Sequence, residues 1–173
     1  MNYHNILHDD ILNGEDLGVV LFVSGCNHNC YNCQNPQTHN FNSGILFDEK
    51  AKQEIFEQLE KDYIHRITYS GGCPLCEPNR SEITKLAKEI KTKYPKIKQW
   101  CYCGEKFEEV KHLEVLKYID VLVDGKFVQE LADVNYPYAG STNQSLIDVQ
   151  KSLRQGEVVL WRSKWLDNIE RSQ

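Results

Sequence analysis

The segment GVVLFVSGCNHNCYNCQN, residues 18–35, decides how this chain is interpreted. It begins with an apolar, β-branched run at residues 19–24, which a glycine ends, and this pattern is typical of a buried β-strand. Three cysteines, Cys26, Cys30 and Cys33, follow directly with the spacing C-x3-C-x2-C. The segment therefore predicts three thiolates on one short loop at the carboxyl end of a strand.

Three thiolates with no obvious fourth suit a metal centre that keeps one position open. Cysteine thiolates hold iron–sulfur clusters, normally four for a [4Fe–4S] cluster, so three ligands leave one iron free. An open coordination position is where a metal does chemistry, as it is in catalytic zinc sites. On the spacing alone two alternatives stay open. One is a structural zinc site that adds His28 or His39 to the three cysteines, and the other is three thiols without metal.

Strands and helices alternate along the rest of the chain. Short apolar runs predict further strands at residues 67–70, 97–101 and 121–123. Apolar residues at helical spacing predict helices at residues 48–63, 81–93 and 107–118, with the charges of residues 105–117 on a solvated helix face. Residues 146–149 and 158–161 indicate two more strands, and the residues after 163 a short terminal helix or a frayed end. This alternation predicts an α/β fold with a parallel sheet.

The length and composition indicate a single small domain. The prediction is one domain over residues 1–173, with a core at about residues 15–161 and an uncertain tail at 162–173. The net charge of -5 without a basic stripe argues against nucleic acid as a partner. The longest apolar run is far shorter than the roughly 20 residues of a membrane span. Seven cysteines without a signal peptide predict a cytoplasmic, reducing location, in which cysteines bind metal or catalyse.

Four further cysteines follow predicted strands. Cys73 and Cys76 come after the second strand, and Cys101 and Cys103 come at the end of the third. If the strands are parallel, all seven cysteines lie on the face where such folds carry function. The four thiols could hold a second metal, zinc or iron–sulfur. Unpaired thiols and a redox-sensing disulfide stay open as alternatives.

Several motifs together resemble a known family. They occur in the order MNYHNI, NGEDLGVVLFVSGCNHNCYNCQNPQT, FNSGILF, SGGCPL followed by PNR, YIDVLVDGKFVQEL and GSTNQSLIDVQKSL, from residue 1 to about residue 153. The triad spacing alone resembles the signature of radical S-adenosylmethionine (SAM) enzymes. With the other motifs, the chain is similar to the activating proteins of the anaerobic (class III) ribonucleoside-triphosphate reductase, a subfamily of that superfamily.

The resemblance implies a fold, two cofactors and an activity. The fold is a partial (β/α) barrel, and a [4Fe–4S] cluster is held by Cys26, Cys30 and Cys33. SAM occupies the open iron, and its pocket is lined by Tyr31, Asn32, Cys33, Gln34, Gly71 and Gly72. The enzyme cleaves SAM reductively and generates a glycyl radical on the large subunit of the reductase. A donor of the flavodoxin or ferredoxin type supplies the electron, and no catalytic side chain is nominated.

Two positions depart from the family pattern. Cys73 stands where the family usually has an acid that helps hold the SAM amino group, and Ala139 stands where an arginine is common. Two other functions are kept as alternatives. One is a small radical SAM enzyme that acts on a metabolite, as in 7-deazapurine carboxylation, and the other is a zinc-stabilised binding module without catalysis.

Overall fold

A computed structural model describes residues 1–163, and a mixed sheet of seven strands forms its centre. The strands are β1 (Asn2–Asp10), β2 (Gly18–Val23), β3 (Ile45–Leu46), β4 (Arg66–Gly71), β5 (Lys98–Tyr102), β6 (Val121–Asp124) and β7 (Ser145–Asp148). Their order across the sheet is β3-β1-β2-β4-β5-β6-β7. The α/β class predicted from the sequence is confirmed.

The four central strands, β2, β4, β5 and β6, are parallel, as predicted. They are almost wholly buried, which is why they are continuous apolar runs in the sequence. Their carboxyl ends meet at one edge of the sheet, so the loops that follow them converge there. The outer strands β1, β3 and β7 pair antiparallel with their neighbours. The sheet is therefore mixed, and a radical SAM barrel is not confirmed.

Helices cover one face of the sheet. Within residues 1–163 the α-helices are α1 (Glu49–Leu59), α2 (Glu77–Lys93), α3 (Phe107–Val110) and α4 (Val149–Gln155). Asp48 caps α1, since its carboxylate accepts a hydrogen bond from the Ala51 N–H at 2.9 Å. The predicted helix at 107–118 is interrupted, because α3 ends at Val110 and a 3₁₀-helix follows at Glu114–Lys117. None of these helices is long and apolar enough to cross a membrane.

Further parts of the sequence-based assignment differ from the structure. Strands β1 and β3 were not predicted, and β1 lies before the expected start of the core at residue 15. The strand predicted at 158–161 is wrong, because Leu160 forms only an isolated bridge to Ile147. Helix α4 was also missed, although Asp148 caps it by accepting a hydrogen bond from the Lys151 N–H. The prediction for the residues after 163 lies outside the described residues.

The two faces of the sheet are covered differently. The main apolar core packs helix residues such as Ile55 and Ile83 against inward residues of the strands such as Leu21. The second face carries a smaller apolar cluster around Trp100, to which the helices contribute nothing in the described part of the chain. Because strand side chains alternate, Trp100 and Tyr102 lie on the second face, and Cys101 belongs to the helical core.

A buried ion pair stabilises the start of β4. The wholly buried Arg66 lies 2.7 Å from the carboxylate of Asp10, which is also buried. Its guanidinium also donates hydrogen bonds to the carbonyl oxygens of Asp10, Asn13 and Glu15. The arginine thereby holds the loop at residues 11–17, which joins β1 to β2.

Candidate metal and cofactor site

A cleft of about 650 Å³ runs along the second face of the sheet. Its lining comes from residues on both sides of β2, namely 11–13 before the strand and several of 26–35 after it. The rest of the lining comes from the ends of β4 and β5 and from the segment 125–144. Its volume is typical of pockets for small molecules and cofactors, which are about 300–1,000 Å³.

The three cysteines of the motif line this cleft together. Cys26, Cys30 and Cys33 are half-buried free thiols on one loop. The loop turns sharply because Asn29 and Asn32 have positive φ values of 48° and 52°, a region that asparagine tolerates better than most residues. The sequence NHNCYNC therefore suits the local conformation that brings the thiols to one side.

The electrostatics of the triad favour a bound cation. Burial raises the pKa of the Cys26 thiol to about 11, and the neighbouring Cys30 and Cys33 would repel a thiolate there. Backbone N–H groups already point at two of the sulfurs: His28 donates to Cys26 at 3.5 Å and Asn35 donates to Cys33 at 3.4 Å. Three thiolates on this loop thus need positive charge beside them, which a metal centre supplies.

Only some of the residues predicted to contact SAM line the cleft within the described part of the chain. Cys33, Gln34, Gly71 and Gly72 line the cleft. Tyr31 is 73% exposed, and neither it nor Asn32 is among the described residues that line the cleft. All of these contacts stay predictions.

Gly71 and Gly72 bring the loop after β4 against the cysteine loop. Gly71 has a φ of +92°, and a Cβ on it would lie 2.8 Å from the Val23 carbonyl oxygen. A Cβ on Gly72 would lie 2.4 Å from the Gly25 carbonyl oxygen. The two glycines therefore have a packing role between strand ends, in addition to lining the cleft.

Asn79, in the PNR motif, ties the same two loops together from α2. Its side-chain amide is buried and donates hydrogen bonds to the Ser24 carbonyl at 2.9 Å and the Cys73 carbonyl at 3.0 Å. The role of Asn79 was not predicted from the sequence.

We expect Asn79→Ala to lower the free energy of unfolding by about 1–3 kcal/mol, because buried carbonyls lose their donor. Urea unfolding followed by tryptophan fluorescence measures this. Ser81→Ala, at an exposed position of the same helix, is the matched control and should change stability by less than about 0.5 kcal/mol. Equal stability of the Asn79 variant and the wild type would contradict this role.

Glu105 gathers several groups from the other cysteine loops. Its Oε2 accepts a hydrogen bond from His28 Nε2 at 3.2 Å and from the Cys103 thiol at 2.7 Å, and it lies 3.6 Å from the Cys73 sulfur. The hydrogen bond from His28 holds the pKa of the Glu105 carboxyl at about 2. The expected placement of Glu105 on a solvated helix face is wrong, since it is half-buried and precedes α3.

Two of the four extra cysteines lie close to other side chains that can bind metal. Ligand atoms of His28, Cys73, Cys76 and Glu105 all lie within 4.8 Å of one another. Cys101 is wholly buried in the helical core, and its thiol donates to the Tyr102 carbonyl oxygen at 3.6 Å. The four-cysteine site is untested and stays a prediction.

Comparison with known proteins identifies relatives over most of the chain. One from Enterobacteria phage T4 is 42% identical over 146 residues, which are 84% of this chain and 93% of the relative. Relatives from Escherichia coli (strain K12) and Haemophilus influenzae are 40% and 39% identical over 148 residues, 83% of this chain and 96% of each relative. All three are named anaerobic ribonucleoside-triphosphate reductase-activating protein. The chain belongs to this family.

Membership of the activating-protein family confirms the resemblance that the motifs indicated. The family model of a 4Fe-4S single cluster domain also matches, over residues 12–147. That span contains all seven cysteines of this activating protein, and also His28 and Glu105. A signal for Glu105 existed in the sequence, because the run Cys103-Gly104-Glu105 begins two residues after the end of the predicted strand at 97–101.

Proposed function

We propose that this chain activates an anaerobic ribonucleoside-triphosphate reductase by generating a glycyl radical on its large subunit. In this proposal Cys26, Cys30 and Cys33 hold a [4Fe–4S] cluster, and SAM binds beside it in the cleft. The observation that carries the proposal is that three free thiols of one loop line the same cleft as Gly71 and Gly72. The relatives' name and the cluster-domain match support it.

The residues of the triad fit a cluster of this type. Cysteine thiolates are the ligands that iron–sulfur clusters use. These thiols are half-buried, free of disulfides and open to a cleft that has room for a further ligand on the unliganded iron. Backbone N–H groups beside two sulfurs stabilise negative charge there.

The cleft also suits a nucleoside-sized cofactor with polar groups. Gln34, Gly71 and Gly72 would contact its polar end, while Tyr31 and Asn32 would act from the rim of the cysteine loop. Residue 73 is not part of the lining within residues 1–163, because its buried thiol faces Glu105. Cys73 therefore does not take over the role of the acid that the family usually has at this position. We expect SAM binding to rely more on Gln34, Gly71 and Gly72.

The protein's own task is to bind, orient and shield these groups. When bound, the cluster and SAM supply one-electron chemistry, in which electron transfer to SAM permits removal of a hydrogen atom from a glycine of the reductase. The electron comes from a donor of the flavodoxin or ferredoxin type. The open second face leaves room for a loop of the reductase to approach, and no side-chain acid or base is required.

The finer description of the fold is also a proposal. The helices lie on one face of the sheet and the cleft lies on the other. This arrangement supports a partial (β/α) barrel of the radical SAM type. One apolar core extends from Tyr3 to Val149. It supports a single domain over residues 1–173.

Electron paramagnetic resonance tests the function directly. We expect a glycyl doublet when the reductase is mixed anaerobically with the reconstituted protein, SAM and a one-electron reductant. Leaving out SAM should remove the signal. A mixture that forms 5′-deoxyadenosine with another substrate, but no doublet with the reductase, would favour the metabolite enzyme. A colourless protein that contains zinc and no iron would favour the binding module and overturn both enzyme functions.

A further inference from the structure

A second group of metal-ligating side chains lies beside the cysteine triad and is separate from it. His28 comes from the cysteine loop, Cys73 and Cys76 come from the loop after β4, and Glu105 comes from the loop after β5. Both cysteines are buried, the histidine side chain is 12% exposed, and the glutamate side chain is 31% exposed. Cys73, Cys76 and Glu105 do not line the cleft in the described part of the chain. His28 lines the cleft, and the other three members of the group lie behind it.

Two of the distances within this group are close to those of a tetrahedral site. Metal–ligand bonds of about 2.3 Å to sulfur and 2.0–2.1 Å to nitrogen or oxygen place tetrahedral ligand atoms about 3.3–3.8 Å apart. His28 Nε2 lies 3.2 Å from Glu105 Oε2, and Cys73 Sγ lies 3.6 Å from the same oxygen. With all four ligand atoms within 4.8 Å of one another, small side-chain shifts complete the geometry.

Neighbouring residues shape the position of the histidine. Gly104 lies against the His28 ring, and a Cβ on it would be 2.3 Å from the ring Cδ2 atom. The glycine therefore leaves the room that the imidazole needs beside Glu105. Cys76 is fixed in turn because it immediately precedes α2.

The donor set indicates which metal it would take. Two thiolates, an imidazole and a carboxylate are all zinc ligands, and soft thiolates select against magnesium and calcium. The spacing Cys73-x2-Cys76 also falls within the range usual for structural zinc sites. Four protein ligands leave no open position, which is typical of a structural rather than a catalytic ion.

The geometry points to a structural zinc site formed by His28, Cys73, Cys76 and Glu105. It shares no ligand with the cluster site, and it differs from the four-cysteine set by using His28 and Glu105 in place of Cys101 and Cys103. His28 lies between Cys26 and Cys30 in the sequence, so the ion would fix the loop that carries the triad. It would join that loop to the loops after β4 and β5. This inference does not depend on the proposed radical chemistry, because its ligands lie outside the triad.

Metal binding by the full chain without its cluster ligands tests the inference. In the variant Cys26→Ala/Cys30→Ala/Cys33→Ala we expect one zinc per chain after anaerobic loading and dialysis. Cobalt(II) in its place should give the intense visible bands of tetrahedral coordination and a thiolate-to-metal charge-transfer band. Adding His28→Gln or Glu105→Gln should weaken zinc binding at least about 100-fold, since even outer-shell partners are worth 10–100-fold. Competition with a chromophoric chelator measures this.

Two matched variants separate the inference from its rivals. His39→Gln replaces the other nearby histidine, and Cys101→Ala removes a thiol of the four-cysteine set; both should bind zinc like the parent. Circular dichroism checks that every variant is folded. Absence of zinc from the folded triple variant would overturn the site. So would unchanged affinity in His28→Gln and Glu105→Gln, or loss of zinc in Cys101→Ala.

Discussion

Cys30→Ala is expected to abolish both iron binding and glycyl radical formation. The triad supplies only three thiolates, so losing one leaves two ligands from the loop for the whole cluster. Because removing an outer-shell partner already costs 10–100-fold, removing a direct ligand should leave less than about 1% of the radical yield. Iron analysis after anaerobic reconstitution and the glycyl doublet with the reductase measure the two effects.

Cys101→Ala is the matched control for this prediction. It also removes one thiol, but that thiol is buried in the helical core and hydrogen-bonded to a backbone carbonyl. We expect the control to retain its iron and its glycyl doublet, with at most a modest loss of stability. If Cys30→Ala kept a full complement of iron, or if both variants lost it equally, the assignment of the triad would be wrong.

The parallel centre of the sheet could be predicted because burial dictates its sequence. Strands covered on both faces must be apolar throughout, and residues 19–24 and 121–123 show this pattern plainly. The location of the triad could be predicted in the same way, because the triad comes directly after the strand at residues 19–24. By contrast, β1 reads NYHNILHDD, and its polar residues hide a strand that forms because β2 and β3 pair with it.

The contact of Glu105 with His28 could not be predicted, because it joins distant parts of the chain. Glu105 and His28 are 77 residues apart and meet only after three loops converge at one sheet edge. The charges of residues 105–117 resemble a solvated helix face, although the helix itself starts at Phe107, as predicted, and so excludes Glu105. Strand alternation places Cys101, one of the four cysteines of the predicted four-sulfur site, in the helical core, and that site stays a prediction.

Asp10→Asn is expected to lower the free energy of unfolding by about 3 kcal/mol at neutral pH. The substitution leaves the charge of Arg66 buried without its carboxylate partner, a change that costs about 3–5 kcal/mol in proteins. We expect the lower end of that range, because backbone carbonyls of the 11–17 loop still accept hydrogen bonds from the guanidinium. Urea unfolding followed by tryptophan fluorescence measures the difference.

The effect should depend on pH in a defined direction. Burial acts to raise the pKa of Asp10, but hydrogen bonds from Asn13 and Arg66 outweigh it, so the pKa of the carboxyl lies below its usual value. The ionised carboxylate therefore contributes stability above the unfolded pKa of about 3.9, and the contribution is lost as the pH falls through the folded-state pKa. The stability difference between wild type and Asp10→Asn should consequently shrink in acid.

Asp9→Asn is the matched control, since Asp9 is the exposed neighbour of Asp10 on the same strand. Its effect should stay within about 0.5 kcal/mol at every pH, as is usual for surface positions. An equal loss of unfolding free energy in both variants would mean that the loss comes from a general disturbance of strand β1 and not from the ion pair. A loss in Asp10→Asn that stayed constant into acid would show that ionisation of the carboxyl contributes nothing. The predicted pattern, a large loss for Asp10 that fades below about pH 4, requires a buried carboxylate paired with Arg66.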